Sequence, residues 1–184
     1  QVCFNYTLHD VEIAGCDYKL GSIYGIDTSK FPEFFDMELV DVSDPRTLLD
    51  SLNNERAMIM STTLREKFGA NTGDNITLVL NGKEVVYKIA GFQDTMLSNG
   101  SIVMIADKYF RLDTGKSNYD NVFIKTNKDP DAVADAISKK YVRSSPYLTT
   151  ISDIEEENHE EYSSIFNAMK AFAYLTLLIG IFGI

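Results

Sequence analysis

Apolar and polar residues alternate from the start of the chain. Val2, Phe4, Tyr6 and Leu8, then Val11 and Ile13, recur with the period of a strand. Gly15 with Asp17 marks a turn, and Tyr18 to Ile26 reads as a second strand. A short helical turn is expected near Phe31 to Phe35, and a short strand over Met37 to Val42. Asp44 before Pro45 sets a capping carboxylate ahead of a proline at the first helical position. The helix it starts runs to about Asn53, with Leu48, Leu49 and Leu52 inward.

The middle of the chain is the most legible. Ala57 to Met60 is a short apolar strand, and Ser61 or Thr62 caps a helix that Gly69 ends. Asn71 to Asp74 is a turn. Ile76 to Leu80 and Lys83 to Gly91 are strands joined by Asn81-Gly82, the pair favoured in a type I′ hairpin because both residues need positive φ. Ser98-Asn-Gly makes another turn, followed by a strand over Ile102 to Ile105. Asp107 is placed to cap a short helix that Gly115 closes. Val122 to Thr126 is a strand. Asp129-Pro130 repeats the cap-and-proline device and opens a helix to about Tyr141, with Val133, Ile137 and Tyr141 on one stripe. Leu148 to Ile151 is predicted as a last strand. Strands and helices mix without strict βαβ repetition, which implies an α+β fold.

The terminal stretch, Ser152 to Ile184, changes character along its length. Ser152 and Glu155 have the spacing of a capping box, and Asp153, Glu155, Glu156 and Glu157 place negative charge where the helix dipole favours it. Ile154, Tyr162, Ile165, Phe166, Met169 and Phe172 then recur at helical spacing. After Lys170 the acidic and basic residues stop, and Ala171 to Ile184 is a run of 14 residues whose one ionisable group is the Tyr174 phenol. A membrane span takes about 20 such residues. Two readings stand: a helix that leaves a soluble body and enters a bilayer, with Lys170 at the headgroups, or a core helix at the end of the fold.

Composition narrows the classes. Hydrophobic residues at 45% and aromatics at 11% supply a core, so global disorder is not expected. A net charge of −10 argues against nucleic-acid binding, whose footprint is basic. It also argues against a body lying flat on an anionic membrane. Cys3 and Cys16 form either one disulfide, if two strands bring them together, or two separate thiols, and unpaired thiols are the expectation. The chain opens at Gln1 directly in strand-like sequence, as an excised piece would, and its length suits one domain or one domain with two lobes.

The residues that carry chemistry are few. His159 lies among Glu156, Glu157, Glu160 and Glu161, but a zinc site needs three or four converging ligands, and a solvated acidic face is the expectation. His9 has no nearby partner type. Ser61 lacks the Gly-x-Ser-x-Gly frame of a nucleophile elbow, so it is read as a cap. No phosphate-binding loop is present, so any ATP hydrolysis must come from another subunit, and no cofactor is expected. Asn5, Asn75 and Asn99 each begin a glycosylation pattern, one that arises often by chance. Phe31, Phe34 and Phe35 form an aromatic cluster read as core rather than as a substrate patch.

Three motifs in order carry a resemblance. Ile59 to Thr95 joins a strand, the helix Leu64 to Phe68, the turn Gly69 to Asp74 and a hairpin ending in Ile89-Ala-Gly91. Upstream, Ser22 to Phe31 reads SIYGIDTSKF, and downstream the chain ends FNAMKAFAYLTLLIGIFGI. This arrangement resembles the extracytoplasmic domain of MacB- and FtsX-like ABC transporter permeases. The resemblance implies a two-lobed α+β domain: one lobe from residues 1–56 and 115–151, and a smaller, mostly β lobe inserted at 57–114. Residues 152–184 would be a stalk helix entering a transmembrane segment. It further implies a non-catalytic domain on the extracytoplasmic side of the cell membrane, working with a cytoplasmic ABC ATPase subunit. The permease would act as a dimer or contain an intramolecular repeat. The helix residues Tyr162, Ile165, Phe166 and Met169 would couple membrane-helix motion to the lobes. A second expectation is a membrane-anchored binding, adhesion or sensor module with no ATPase. A soluble hydrolase ranks last, because no nucleophile–base pair is evident.

Overall fold

The computed structural model describes residues 1–182 apart from 43 and 145, and the side chains of these apart from 158, 160, 161 and 178–182. In chain order the strands are β1 (Val2–Glu12), β2 (Lys19–Ile26), β3 (Leu39–Val40), β4 (Ala57–Ser61), β5 (Asn75–Leu80), β6 (Lys83–Gln93), β7 (Ile102–Ala106) and β8 (Asn121–Ile124). The helices are α1 (Phe31–Phe34), α2 (Pro45–Asn54), α3 (Thr62–Phe68), α4 (Asp107–Thr114), α5 (Pro130–Lys140) and α6 (Ile151–Phe182). The fold is α+β. The chain divides into two units, Gln1–Lys125 and Thr126–Ile184.

In the first unit the eight described strands form one sheet, in the order β3-β6-β4-β7-β2-β1-β8, with β5 paired to β6. The central pair is β4 and β7, antiparallel to each other. β4 also runs parallel to β6, and β7 parallel to β2. All ten positions of β4 and β7 are buried, and that is why AMIMS and IVMIA are continuous runs rather than alternating ones. On one face Ile26, Ile59 and Met104 pack with Phe31 of α1 and Leu48 and Leu52 of α2. On the other, Ile23, Met58, Met60 and Ile105 pack with Leu64 of α3, Phe110 of α4 and Leu78 of β5. Each such side chain contributes roughly 1.5–3 kcal/mol when fully buried.

Local chemistry sets the connections. Asn81 and Gly82 turn at φ 50° and 71° between the paired residues Leu80 and Lys83, as a type I′ hairpin demands. Asp44 accepts from the Arg46 N–H ahead of Pro45, and Asp129 from the Asp131 N–H ahead of Pro130. Ser61 accepts from the Leu64 N–H, and Gly69 closes α3 in the left-handed conformation at φ 61°. Across the sheet edge, Arg56 makes a two-pronged ion pair with Asp113 at 2.8 and 2.9 Å, and the Tyr87 hydroxyl donates to the same carboxylate at 2.6 Å. This ties α4 to β6 and to the start of β4. Burial pushes the Asp113 carboxyl up, but the hydrogen bonds from Arg56 and Tyr87 outweigh it and leave the carboxyl below its ordinary value.

Three local expectations change. Leu148 to Ile151 is not a strand: Thr150 caps α6, and the helix begins at Ile151. The capping box is accordingly Thr150 with Asp153, not Ser152 with Glu155. The Thr150 N–H donates to Asp153 Oδ2 at 2.8 Å, and the Asp153 N–H to Thr150 Oγ1 at 3.2 Å. Asp107 is the first residue of α4 rather than its cap; Ala106 stands at the cap because the strand runs straight into the helix. The expected insert, residues 57–114, holds β4, β5, β6 and β7, and these share the sheet with β1, β2 and β8 from the chain ends. In the second unit, Val133 and Ile137 are half-buried on α5, while Tyr141 just beyond it is exposed.

Two outcomes follow. A methyl group at Gly25 would lie 2.6 Å from Cγ and 2.7 Å from Cβ of Phe110, atoms too near that residue's own backbone to swing away. Gly25→Ala is expected to lower stability in urea unfolding by about 1–3 kcal/mol, with part regained by adding Phe110→Leu. For Asp113, the lowered carboxyl pKa gives stability that is present above about pH 4 and lost as pH falls through the folded-state value. Asp113→Asn should be less stable at neutral pH and show a shallower acid limb in unfolding followed from pH 6 downward to about pH 2.

Candidate functional site

Where α1 and the segment after it cross the sheet, the packing leaves a cavity of about 380 Å³. Tyr24 of β2 and Met104 of β7 line it from neighbouring strands, Phe31 and Phe35 from the α1 segment, and Phe123 from β8. The aromatic rings make a connected wall: Phe31 and Phe35 lie 4.6 Å apart, and Phe35 meets Phe123 edge-on at 4.7 Å. Asp36, Glu38 and Asp94, all exposed, supply acid at the rim. Asp94 is held in place by the Thr62 hydroxyl at 3.1 Å, and its N–H donates to the Glu38 carbonyl at 2.8 Å.

Two side-chain amides break the apolar lining. Asn5 on β1 is 1% exposed, and Gln93 at the end of β6 is 4% exposed. Asn5 Oδ1 accepts from Asn121 Nδ2 at 2.9 Å, and that donor also reaches Thr7 Oγ1 at 3.5 Å. The bond fixes which way the Asn5 amide faces. It leaves Asn5 Nδ2 a buried donor without a partner, and Gln93 Oε1 is a buried acceptor without one. Burial also raises the pKa of the Tyr24 hydroxyl, which stays protonated and neutral.

The helix residues singled out from sequence lie together on α6. Tyr162 is 60%, Ile165 50%, Phe166 60% and Met169 61% exposed. Farther along, Phe172, Tyr174, Leu175 and Leu177 are exposed as well, so the core-helix reading of this stretch fails for the described side chains. Among the described residues no helix is long and apolar enough to cross a membrane. Leu178 to Phe182 have no described side chains, and residues 183–184 of the expected membrane run lie outside the described residues.

The remaining candidates resolve into structural roles. His9, expected to have no partner, bonds Ser22 across the β1–β2 pair, with Nδ1 2.9 Å from Oγ. Ser98 donates to the same Ser22 hydroxyl at 2.8 Å, so the buried serine fastens β2 to the turn before β7. Ser61 is fully buried and donates to the Gly100 carbonyl as it caps α3. His159 and Glu156 are exposed; the side chains of Glu160 and Glu161 lie outside the described residues. No metal-binding group of three acidic, His or Cys side chains forms among the described residues. Asn5, the first of the glycosylation patterns, is buried, whereas Asn75 and Asn99 are exposed. Cys3 and Cys16 are free thiols, the first buried and the second exposed.

The arrangement of the sheet and helices has known counterparts. The extracellular domain of the noncanonical ABC-type transporter YknZ from Gram-positive bacteria superposes with a TM-score of 0.54 at 17% identity, over 77% of this chain and 75% of that one. The chain has the fold of an ABC-transporter permease's extracytoplasmic domain. The periplasmic region of MacB from Actinobacillus actinomycetemcomitans matches with a TM-score of 0.58 at 8% identity, over 86% of this chain and 75% of that one. A domain assigned to a permease of Porphyromonas gingivalis gives 0.50 at 13% identity, over 78% of this chain and 63% of that one. No protein-family model matches the sequence, and no curated protein is significantly similar to it. The MacB-like fold expected from the motif order is therefore the one present.

Burial pushes the Cys3 thiol pKa up and closes it to solvent, while Cys16 is open. Ellman's reagent should titrate one thiol per native chain rapidly and the second only in denaturant. Two fast thiols would mean that β1 opens readily at Cys3.

Proposed function

We propose that this chain is the extracytoplasmic domain of an ABC transporter permease, and that α6 is the lever by which membrane-helix motion reaches it. The observation that carries the reading is the fold likeness to the extracellular domain of YknZ and the periplasmic region of MacB, joined to the long helix α6. At 32 residues α6 is about 48 Å long, and a continuous helix transmits displacement along its axis. The stripe Tyr162, Ile165, Phe166 and Met169 is its contact face for the moving partner. In this reading the apolar run after Lys170 continues into the bilayer, and ATP is hydrolysed on a cytoplasmic ABC subunit. The permease works as a dimer or as an intramolecular repeat. Residues 57–114 act as the inserted lobe against the part built from 1–56 and 115–151.

A second reading, a membrane-anchored binding or sensor module without an ATPase, is favoured by the cavity beneath α1, lined by two buried amides that each carry one polar atom without a partner. Copurification separates the two: the permease reading requires an ATP-hydrolysing partner, the anchor reading none.

Ser163→Pro in the intact transporter removes a backbone hydrogen bond in mid-helix and costs about 3 kcal/mol locally. ATP hydrolysis is expected to continue while transport falls steeply, and Ser163→Ala is expected to leave both intact. Transport at the normal rate in the proline variant would end the lever reading.

A further inference from the structure

Two Asn-Gly pairs stand in the chain, Asn81-Gly82 and Asn99-Gly100. An asparagine before glycine is open to an internal reaction, because no β-carbon screens the next backbone nitrogen. The glycine nitrogen attacks the asparagine Cγ. A new C–N bond closes a succinimide ring, the Cγ–Nδ2 bond breaks, and ammonia leaves. Water then opens the ring at either carbonyl, giving aspartate or isoaspartate, and nothing is oxidised or reduced. In isoaspartate the main chain runs through the side-chain methylene. Closing the ring requires the backbone to swing out of the turn it occupies. The two pairs start alike: Asn81 and Gly82 lie at φ 50° and 71°, Asn99 and Gly100 at 52° and 73°, and both asparagines are exposed. Their fastenings differ. Gly100 is buried hard against Thr63, and its carbonyl accepts from the Ser61 hydroxyl. Before it, Ser98 donates to Ser22 at 2.8 Å, and the Ser98 carbonyl accepts from the Ser101 N–H at 2.9 Å. Gly82 is exposed, and a methyl group added there would meet nothing within 4 Å. Its turn is closed by the end pair of the hairpin, Leu80 and Lys83.

From this contrast we infer that Asn81 is a site of spontaneous deamidation in the folded chain, and that Asn99 is protected by the contacts that pin its turn. Each hydrogen bond that must break before the ring can close slows the reaction by up to about tenfold. The product at position 81 has a structural effect. Isoaspartate lengthens a two-residue hairpin loop by one main-chain methylene, and a type I′ turn has no room for it. Leu80, fully buried beside the turn, is the anchor that is pulled. The β5–β6 hairpin therefore loosens as the chain ages. The inference stands on the two turns alone and holds whether or not α6 acts as a lever.

The test is to hold the whole chain in mildly alkaline buffer for weeks and follow both sites by peptide mass spectrometry. In the folded chain, amide should turn to acid at Asn81 about tenfold faster than at Asn99, or faster still. In urea the fastenings are gone, and the two sites should react at similar rates. Ser98→Ala removes the bond to Ser22 and should speed Asn99 several-fold while leaving Asn81 unchanged. The comparison of folded with unfolded chain needs no variant, so it stands even if Ser98→Ala misfolds. Aged chain should unfold at a lower urea concentration than fresh chain. Asn81→Asp, which has the new charge on a normal main chain, should unfold close to fresh chain. Equal rates at the two sites in the folded chain would overturn the protection of Asn99. An Asn81 that stays intact in the folded chain while the unfolded chain loses it would overturn the site. Aged chain as stable as Asn81→Asp would overturn the effect on the hairpin.

Discussion

The structure depends on burying β4 and β7 from both sides. These two strands lie side by side at the centre of the sheet, and neither has a face that water reaches. Every other element of the first unit serves to cover them or to extend them. α1 and α2 close one face, α3, α4 and β5 the other, and β6 and β2 continue the hydrogen bonding outward. Double burial makes large demands on packing. Gly91 on β6 lets Leu48 settle on the sheet, where an added methyl would stand 2.7 Å from a Leu48 methyl. The cavity lies where α1, a single short turn, leaves Tyr24 of β2 and Met104 of β7 incompletely covered.

Much of this was readable from residue order, because several short signals have one physical meaning. Asn81-Gly82 admits little but a tight hairpin, and Asp-Pro twice announces a helix start. The apolar runs AMIMS and IVMIA mark strands covered on both faces. Where the reading went astray, two signals overlapped. Thr150-Ile-Ser-Asp153 and Ser152-Asp-Ile-Glu155 both have the spacing of a capping box, offset by two residues. The earlier frame wins, and taking it consumes the threonines that gave 148–151 its strand-like look.

The cavity was not legible at all. Asn5 opens a glycosylation pattern, and Gln93 merely ends an apolar strand. The aromatic cluster reads as core, and Phe31 is core at 4% exposure, yet it and Phe35 also wall the cavity. These residues are far apart in the chain and meet only through the sheet order β6-β4-β7-β2-β1-β8, which no local pattern encodes. The one available hint was a polar residue at an inward-facing strand position, and single-sequence reading does not distinguish that from a surface amide. The helix stripe of Tyr162, Ile165, Phe166 and Met169 was legible for the opposite reason: helical spacing is local.

The turn before β7 has a consequence for how such a chain can diverge. Ser98, Asn99 and Gly100 take three successive left-handed conformations, at φ 50°, 52° and 73°. Gly100 packs so closely on Thr63 that no side chain fits there. The strand that follows is a central one, and adding or deleting a residue in the turn would exchange which of its side chains look up and which look down. Val103 and Ile105 would trade places with Ile102 and Met104 across a sheet filled on both sides. Changes of length are therefore shut out at this point of the gene and left to connections such as residues 115–120, which lead into the outermost strand.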